Sequence, residues 1–556
     1  MAIRKITYLV VSLVFVLSTV HSQPTVTVSA TGNSLNPSLM GLNGRSTEGP
    51  SWTDATFNAN VQEMNPAFVR YPAGTQGNQW NWKTGTFIAS LGMNAKEVFT
   101  IPMFVNGLPQ GAKIIYMVNM VLPTEQTGLT FTTTTDSHLS SDNTLTLKIT
   151  DILNALDAFD KAGHLPEICE LGNELYFSNV YAGVYANNPT FYMQHAKIIA
   201  LAIKNKYPAM KIILCTTKGG TTSRDNWNTL VFNTINNDAQ LRTAVFGVVQ
   251  HHYINETYGN LSAVTDNAMA KIMIDEGITY VKDIASDYTN VPSTLKIWVT
   301  EYGATKASAD GMWCSGLRLA TMSLSFMKMG PKIDNLLWHH ITDDPNILSA
   351  TKSKLGPAGI AFSLLTKVMN GASSYKKLTF TNMQATNDYA GLTGYKFFAE
   401  GTENILVLNT ENTSYTGVNL SGLTGNGTMQ FVKQYWSGTP YQRDVTPTSN
   451  ISVNNAVNLS AYTINPFSIT VFSKKLNTAN TEIISENEVK VYPKFIEHEL
   501  YIDCAEATNF TIQDISGRVN STGKLTAGKN LIKANHFSKG IKLLIIGNKH
   551  FKVLKK

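Results

Sequence analysis

Eight short apolar runs alternate with stretches of helical periodicity between residues 35 and 374, and this alternation limits the fold more than any other feature of the chain. The β-rich runs are residues 39–43, 67–71, 113–119, 168–172, 211–216, 245–251, 295–300 and 335–338. Between them, residues 144–162, 190–206, 263–284 and 312–329 place apolar side chains three and four apart, as Ile149, Leu153, Leu156 and Phe159 are. That spacing gathers them on one helical face. Strand–helix units in series bury a parallel sheet beneath a helical layer, and eight of them predict a (β/α)8 barrel over residues 23–374. With 43% hydrophobic residues among 556, the chain has apolar surface enough for this core and for further domains.

The texture changes after residue 372. Helical periodicity stops, and short alternating strands separated by Asn, Gly, Ser and Thr turns predict a β-sandwich over residues 375–473. A polar stretch, 474–485, reads as a linker. Residues 486–556 read as a last small β-rich unit. At the other end, Arg4 and Lys5, an apolar run over 6–17 and the small-residue pattern Val20-His21-Ser22 predict a signal peptide over 1–22. No later run approaches the roughly 18 apolar residues of a membrane span, so the expected location is outside the cytoplasm.

The net charge of +6 is unevenly placed. Residues 486–556 hold 12 basic and 7 acidic side chains, and residues 23–485 hold 31 basic against 32 acidic. A near-neutral catalytic part gives no case for nucleic acid. The four cysteines (Cys169, Cys215, Cys314 and Cys504) have no paired or metal-like spacing. Cys169 and Cys215 lie in apolar runs, where a buried thiol and a disulfide between them are both open readings.

Two segments carry chemistry. The fourth run continues into Glu170-Leu171-Gly172-Asn173-Glu174, and the seventh ends Trp298-Val299-Thr300-Glu301. Each delivers a carboxyl to the C-terminal rim of the barrel, where barrel enzymes keep their reacting groups. Two carboxyls facing each other across a cleft suit glycosidic hydrolysis, in which one protonates the leaving oxygen and the other attacks or activates water. A salt bridge or helix cap accounts for either glutamate alone; the pair together favours catalysis. A separation of about 5 to 5.5 Å is expected for a retaining pair.

Asn173-Glu174 on strand four with Glu301 on strand seven resembles the clan of retaining glycosidases built on (β/α)8 barrels. The resemblance implies Glu174 as acid/base and Glu301 as nucleophile, with Asn173 touching substrate. Arg70, in Val69-Arg70-Tyr71-Pro72-Ala73-Gly74, resembles the strand-two segment of arabinofuranosidases and heparanase-like enzymes, with Ala73 where the first Gly is expected. Tyr253 resembles the strand-six residue that holds the nucleophile, and of the adjacent pair His251-His252 we place His252 in the site. Trp338, ending strand eight, resembles an aromatic floor under the sugar. Asn119 at the end of strand three and Trp80 in the loop after strand two complete the expected substrate-binding set. For Trp80 and its neighbour Trp82, sugar stacking and core packing are both open. Asp343 and Asp344 read as turn residues at the lip. No metal or other cofactor is expected, because the histidine pair lacks further ligands at useful spacing.

The tail, with Val491-Tyr492-Pro493 and Asp514-Ile515-Ser516-Gly517-Arg518, resembles the C-terminal sorting domain of the type IX secretion system; Lys494-Phe495 departs from its pattern. That resemblance implies a Bacteroidetes-type source, export across the outer membrane, and the secretion machinery as a partner. The expected function is a secreted retaining glycoside hydrolase acting on poly- or oligosaccharide. The alternative is a catalytically silent carbohydrate-binding barrel.

Overall fold

The structure, a computed structural model, describes residues 24–44, 52–72, 74–78, 80–87, 100–121, 142–177, 180–254, 264–304, 311–339, 354–381, 383, 391–423, 427–453, 457–476, 489–492, 495–504, 507–546 and 549–555. The leader at 1–22, Asp343, Asp344, Pro493, Lys494 and residues 477–485 of the linker lie outside the described residues.

Eight parallel strands close into a barrel in chain order: Met40–Asn43, Phe68–Tyr71, Lys113–Val118, Ile168–Leu171, Lys211–Cys215, Val245–Ile254, Lys296–Ala304 and Ile333–Trp338. All eight lie on the runs expected to form them, and the helices Asp142–Lys161, Pro189–Lys206, Asn267–Asp283 and Trp313–Lys328 fall on the periodic stretches. Their starts are written in the sequence. Asn188 accepts from Phe191 N and Asp266 from Met269 N, each capping an otherwise unpaired amide. Trp313–Lys328 is buried from Trp313 through Met327, which its mixture of apolar and small residues permits.

Inside the barrel, Phe68, Ile115, Ile168, Ile213, Val249, Trp298 and Leu337 form one packed layer. Successive strand residues face opposite sides, so the lumen residues next along toward the mouth are Arg70, Glu170, His251 and His339. The seventh strand breaks this rule in a useful way. Trp298 pairs with Val249 but Glu301 pairs with His251, so three residues oppose two. The extra residue is a β-bulge, and it turns Glu301 toward the lumen.

The sandwich begins earlier in the chain than expected. Thr25–Ser34 pairs antiparallel with Ala372–Thr381 and heads a seven-stranded sheet completed by Leu392–Ala399, Thr402–Asn409, Ser468–Leu476, Gly427–Trp436 and Thr448–Val453. The barrel therefore does not start at residue 23. Its first strand is Met40–Asn43, and the segment before it completes a sheet whose other strands come some 350 residues later. One face of this sheet shares a core with the barrel helices: Tyr395, Phe397, Leu406, Ile469 and Val471 pack in one cluster with Phe362 and Leu365 of helix Pro357–Met369. The other face packs against the pair Tyr415–Val418 and Tyr462–Ile464.

Residues from Val489 onward build a separate core between a three-stranded and a five-stranded sheet. No described helix is long and apolar enough to cross a membrane. All four cysteines are free and buried, so Cys169 and Cys215 are core thiols without a disulfide.

Candidate active site

The mouth of the barrel is organised around Arg70. Its Nε and Nη2 donate to the two carboxylate oxygens of Glu170 at 2.7 Å each, its Nη1 donates to Glu301 Oε1 at 2.7 Å, and Nη2 also reaches Asn173 Oδ1 at 2.7 Å. A planar guanidinium can satisfy four acceptors at once because its donors are fixed in one fork. Arg70 and Glu170 are fully buried. Burial works against the charge on Arg70, but Glu170 and Glu301 outweigh it and raise its proton affinity.

Glu301 is held by more than Arg70. Tyr253 donates its hydroxyl to Glu301 Oε2, His251 Nδ1 lies 3.5 Å from that oxygen and His339 Nε2 lies 3.8 Å from it. Burial favours the neutral acid, but His251, His339 and Arg70, with the Tyr253 hydroxyl, outweigh it and hold the carboxyl far below the usual carboxylate range. Burial pushes the Tyr253 hydroxyl well above its ordinary range, and the nearby carboxylates push it further, so it remains a donor.

Glu174 is the more open of the two, with its side chain 19% exposed against 5% for Glu301. Its Oε1 accepts from Tyr176 and lies 3.0 Å from His251 Nδ1, which leaves Oε2 without a partner among the described residues. His251 Nε2 meets Thr300 Oγ1 at 3.0 Å. Burial disfavours the imidazolium, but Glu301 and Glu174 outweigh it and raise the His251 pKa above its ordinary value. Single atoms of Glu174, His251 and Glu301 all lie within 4.8 Å of one another, so one oxygen of each carboxylate stands no farther than that from one of the other.

The turn that presents Glu174 requires glycine at one position. Gly172 has φ 82, and a Cβ there would meet Leu175 Cδ1 at 2.4 Å. Glu174 itself has φ 49. Tyr192 stabilises the strand end by donating to Leu171 O at 3.0 Å.

The structure brings together Glu174, Glu301, Asn173, Arg70 and Tyr253. It does not bring in His252, Trp338 or Trp80. His252 faces away from the lumen, taking the Tyr288 hydroxyl at 3.0 Å on Nε2 and packing beside Phe326. Burial pushes its pKa well below the ordinary value. His251 occupies the position assigned to it. The two rings also cannot hold one metal ion, because they lie on opposite faces of the strand. Trp338 likewise points outward, edge-on to Tyr302 at 5.1 Å, and at 2% exposure it presents no face to a sugar. Trp80 is a core residue packed against Tyr71 and Tyr116. Asn119 spends its amide on Trp80 O and Val121 N, which ties the end of the third strand to the loop after the second. Trp82 is half-buried and donates to Asp151 Oδ1 at 2.7 Å.

Four lumen residues that the sequence reading did not place in the site complete it: Glu170, His251, His339 and Asn43. Glu170 is an acid inside the apolar run Ile168-Cys169-Glu170-Leu171, a position that demands a buried cation. Asn43 ends the first strand beside Arg70, fully buried, with neither amide atom partnered among the described residues. Asn173 Nδ2 is also buried without a partner.

No family model matches the chain, and neither does any curated protein. Solved structures do match. A family 51 α-L-arabinofuranosidase from Bifidobacterium longum superposes with a TM-score of 0.57 over 81% of this chain and 99% of its own, at 14% identity. An arabinofuranosidase from Xanthomonas axonopodis pv. citri gives 0.57 over 82% and 100%, at 13% identity. A family 44 xyloglucanase from Paenibacillus polymyxa gives 0.56 over 81% and 99%, at 9% identity. What the chain shares with all three is the fold, a (β/α)8 barrel followed by a β-sandwich.

Proposed function

We propose that this protein is a retaining glycoside hydrolase in which Glu301 is the nucleophile and Glu174 the acid/base. The observation that carries the reading is the carboxylate pair, with an oxygen of each within 4.8 Å of the other, and Glu301 held by Arg70, Tyr253 and His339 as well as by the His251 that both share. Inverting pairs stand about 6.5 to 9.5 Å apart to admit a water between them, whereas retaining pairs sit closer. A carboxylate held ionised by Arg70, the two histidines and the Tyr253 hydroxyl is suited to attack an anomeric carbon. The more open carboxyl, whose Oε2 has no partner among the described residues, is suited to exchange protons with a leaving group.

In the first step Glu174 gives its proton to the glycosidic oxygen as a Glu301 oxygen bonds to the anomeric carbon and the C–O bond to the leaving group breaks. In the second, Glu174 takes a proton from water as the water oxygen bonds to that carbon and the ester to Glu301 breaks. Both amide atoms of Asn43 and the Nδ2 of Asn173 are buried without partners among the described residues, and are suited to sugar hydroxyls. The neighbours named as arabinofuranosidases and xyloglucanase support a poly- or oligosaccharide substrate. We further propose that the protein is exported, on the leader-like N-terminus and on the separate C-terminal β unit, which is suited to a sorting role.

Turnover of aryl glycosides and polysaccharides by the wild type and by Glu301→Gln tests the activity. The proposal predicts hydrolysis by the first and its loss in the second. A wild type that binds carbohydrate but never cleaves it is the outcome of the silent-barrel reading.

A further inference from the structure

Beyond the reacting pair, one buried side chain touches the acid/base turn without touching either carboxyl. Asn78, 1% exposed, lies in the loop after the second strand. Its Nδ2 donates to Asn173 O at 2.7 Å, and its Oδ1 accepts from Asn173 N at 3.0 Å. One amide thus closes both backbone hydrogen bonds of the residue that precedes Glu174, as a neighbouring strand would.

This turn needs such a partner. Gly172 and Glu174, on either side of Asn173, both have left-handed φ values, of 82 and 49. Backbone of this kind persists where the surroundings over-determine it. The Asn173 side chain is held separately, by Arg70 Nη2. The Asn173 backbone has left the strand ladder, and Asn78 takes up the N–H and C=O left behind.

We propose that Asn78 is a positioning residue for the acid/base: by clamping the Asn173 backbone it sets where the Glu174 carboxyl stands relative to Glu301. This rests on the reading of Glu174 as acid/base. Glu301 is held by Arg70, Tyr253, His251 and His339, whereas the two described hydrogen bonds of Asn78 both go to the Asn173 backbone. Loss of Asn78 therefore impairs proton transfer and spares nucleophilic attack.

The test compares Asn78→Ala, Asn78→Ser and Glu174→Gln with the wild type on aryl glycosides whose leaving groups span several pKa units. Rates are taken per active site, counted with a mechanism-based inactivator, so that unfolded protein drops out. For Asn78→Ala we expect kcat/KM to fall on the order of 10- to 100-fold on poor leaving groups. It should fall by less than about threefold on the most activated one, giving a steeper leaving-group dependence like that of Glu174→Gln but weaker. Azide should raise kcat on activated substrates, and Asn78→Ser, which keeps a hydroxyl, should fall between. A uniform loss across leaving groups would overturn the proposal and leave Asn78 a fold residue. If Glu174→Gln itself has the wild-type leaving-group dependence, the acid/base assignment fails and the proposal falls with it.

Discussion

Arg70 Nη1 lies 2.7 Å from Glu301 Oε1, with the guanidinium fully buried and the carboxylate nearly so. With so little hydration, the guanidinium depends on Glu301 and on Glu170, which binds its opposite edge through two oxygens, and Glu301 depends on Arg70 with His251, His339 and Tyr253. Breaking such a unit from one side strands a charge. We therefore predict that Arg70→Met, which leaves two buried carboxylates facing each other, destabilises the fold by about 3 to 5 kcal/mol, and that Glu170→Gln costs less because Glu301 still faces Arg70. Chemical denaturation of both variants checks the order. Equal stability of Arg70→Met and wild type would mean the triad carries no net charge coupling.

Tyr253 donates to Glu301 Oε2 and is among the groups that hold the carboxyl ionised. Tyr253→Phe removes that donor and leaves the ring. The acidic limb of kcat/KM, which reports protonation of the free-enzyme nucleophile, should move to higher pH. A pH–rate profile that does not move would show that the hydroxyl does nothing for the charge.

His251 gains affinity for its proton from Glu301 and Glu174. A pKa raised on folding means that the protonated ring stabilises the fold fully below the unfolded value of about 6.5, and that this contribution is lost as pH rises through the folded value. Imidazole titration by NMR should give a folded pKa above 6.5 in the wild type and a lower one in Glu301→Gln, where the largest raising charge is gone. An unchanged value in the variant would contradict the assigned coupling.

The barrel was legible because its strands are short apolar runs in series and periodic helical stretches follow four of them. The strand Thr25–Ser34 was not, although Thr25-Val26-Thr27-Val28 alternates as strands do, because its partner Ala372–Thr381 is remote in sequence. Glu174 and Glu301 stood out as charges at the ends of apolar runs. Period-two alternation could also have separated His251 from His252: Val249, His251 and Tyr253 share one face, so Tyr253 and His252 cannot both line the lumen. The same count from Leu337 turns Trp338 out and His339 in. The bulge before Glu301 left no such trace. It shows only in the pairing of two strands. Whether Trp80 stacks on sugar or on Tyr71 is likewise decided in three dimensions.

The strand Ser468–Leu476 pairs along its whole length, through Thr402↔Lys475 and Gly427↔Leu476. A chain ending at Leu476 should keep wild-type kcat/KM within about twofold, because the later residues form their own core. A chain ending at Gly371 should aggregate, because it exposes the apolar cluster that the seven-stranded sheet shares with helix Pro357–Met369. Assays and size-exclusion chromatography of the two chains decide it. A soluble, active shorter chain would make the sandwich a detachable module.

The pairing of Glu174 with Glu301 as acid/base and nucleophile is tested most directly by the anomer first released from a hydrolysable glycoside, followed by proton NMR before mutarotation. Two displacements at the anomeric carbon predict a first-formed product with the configuration of the substrate. A product of the opposite configuration would mean a single displacement by water, and Glu301 would then be a base and not the nucleophile.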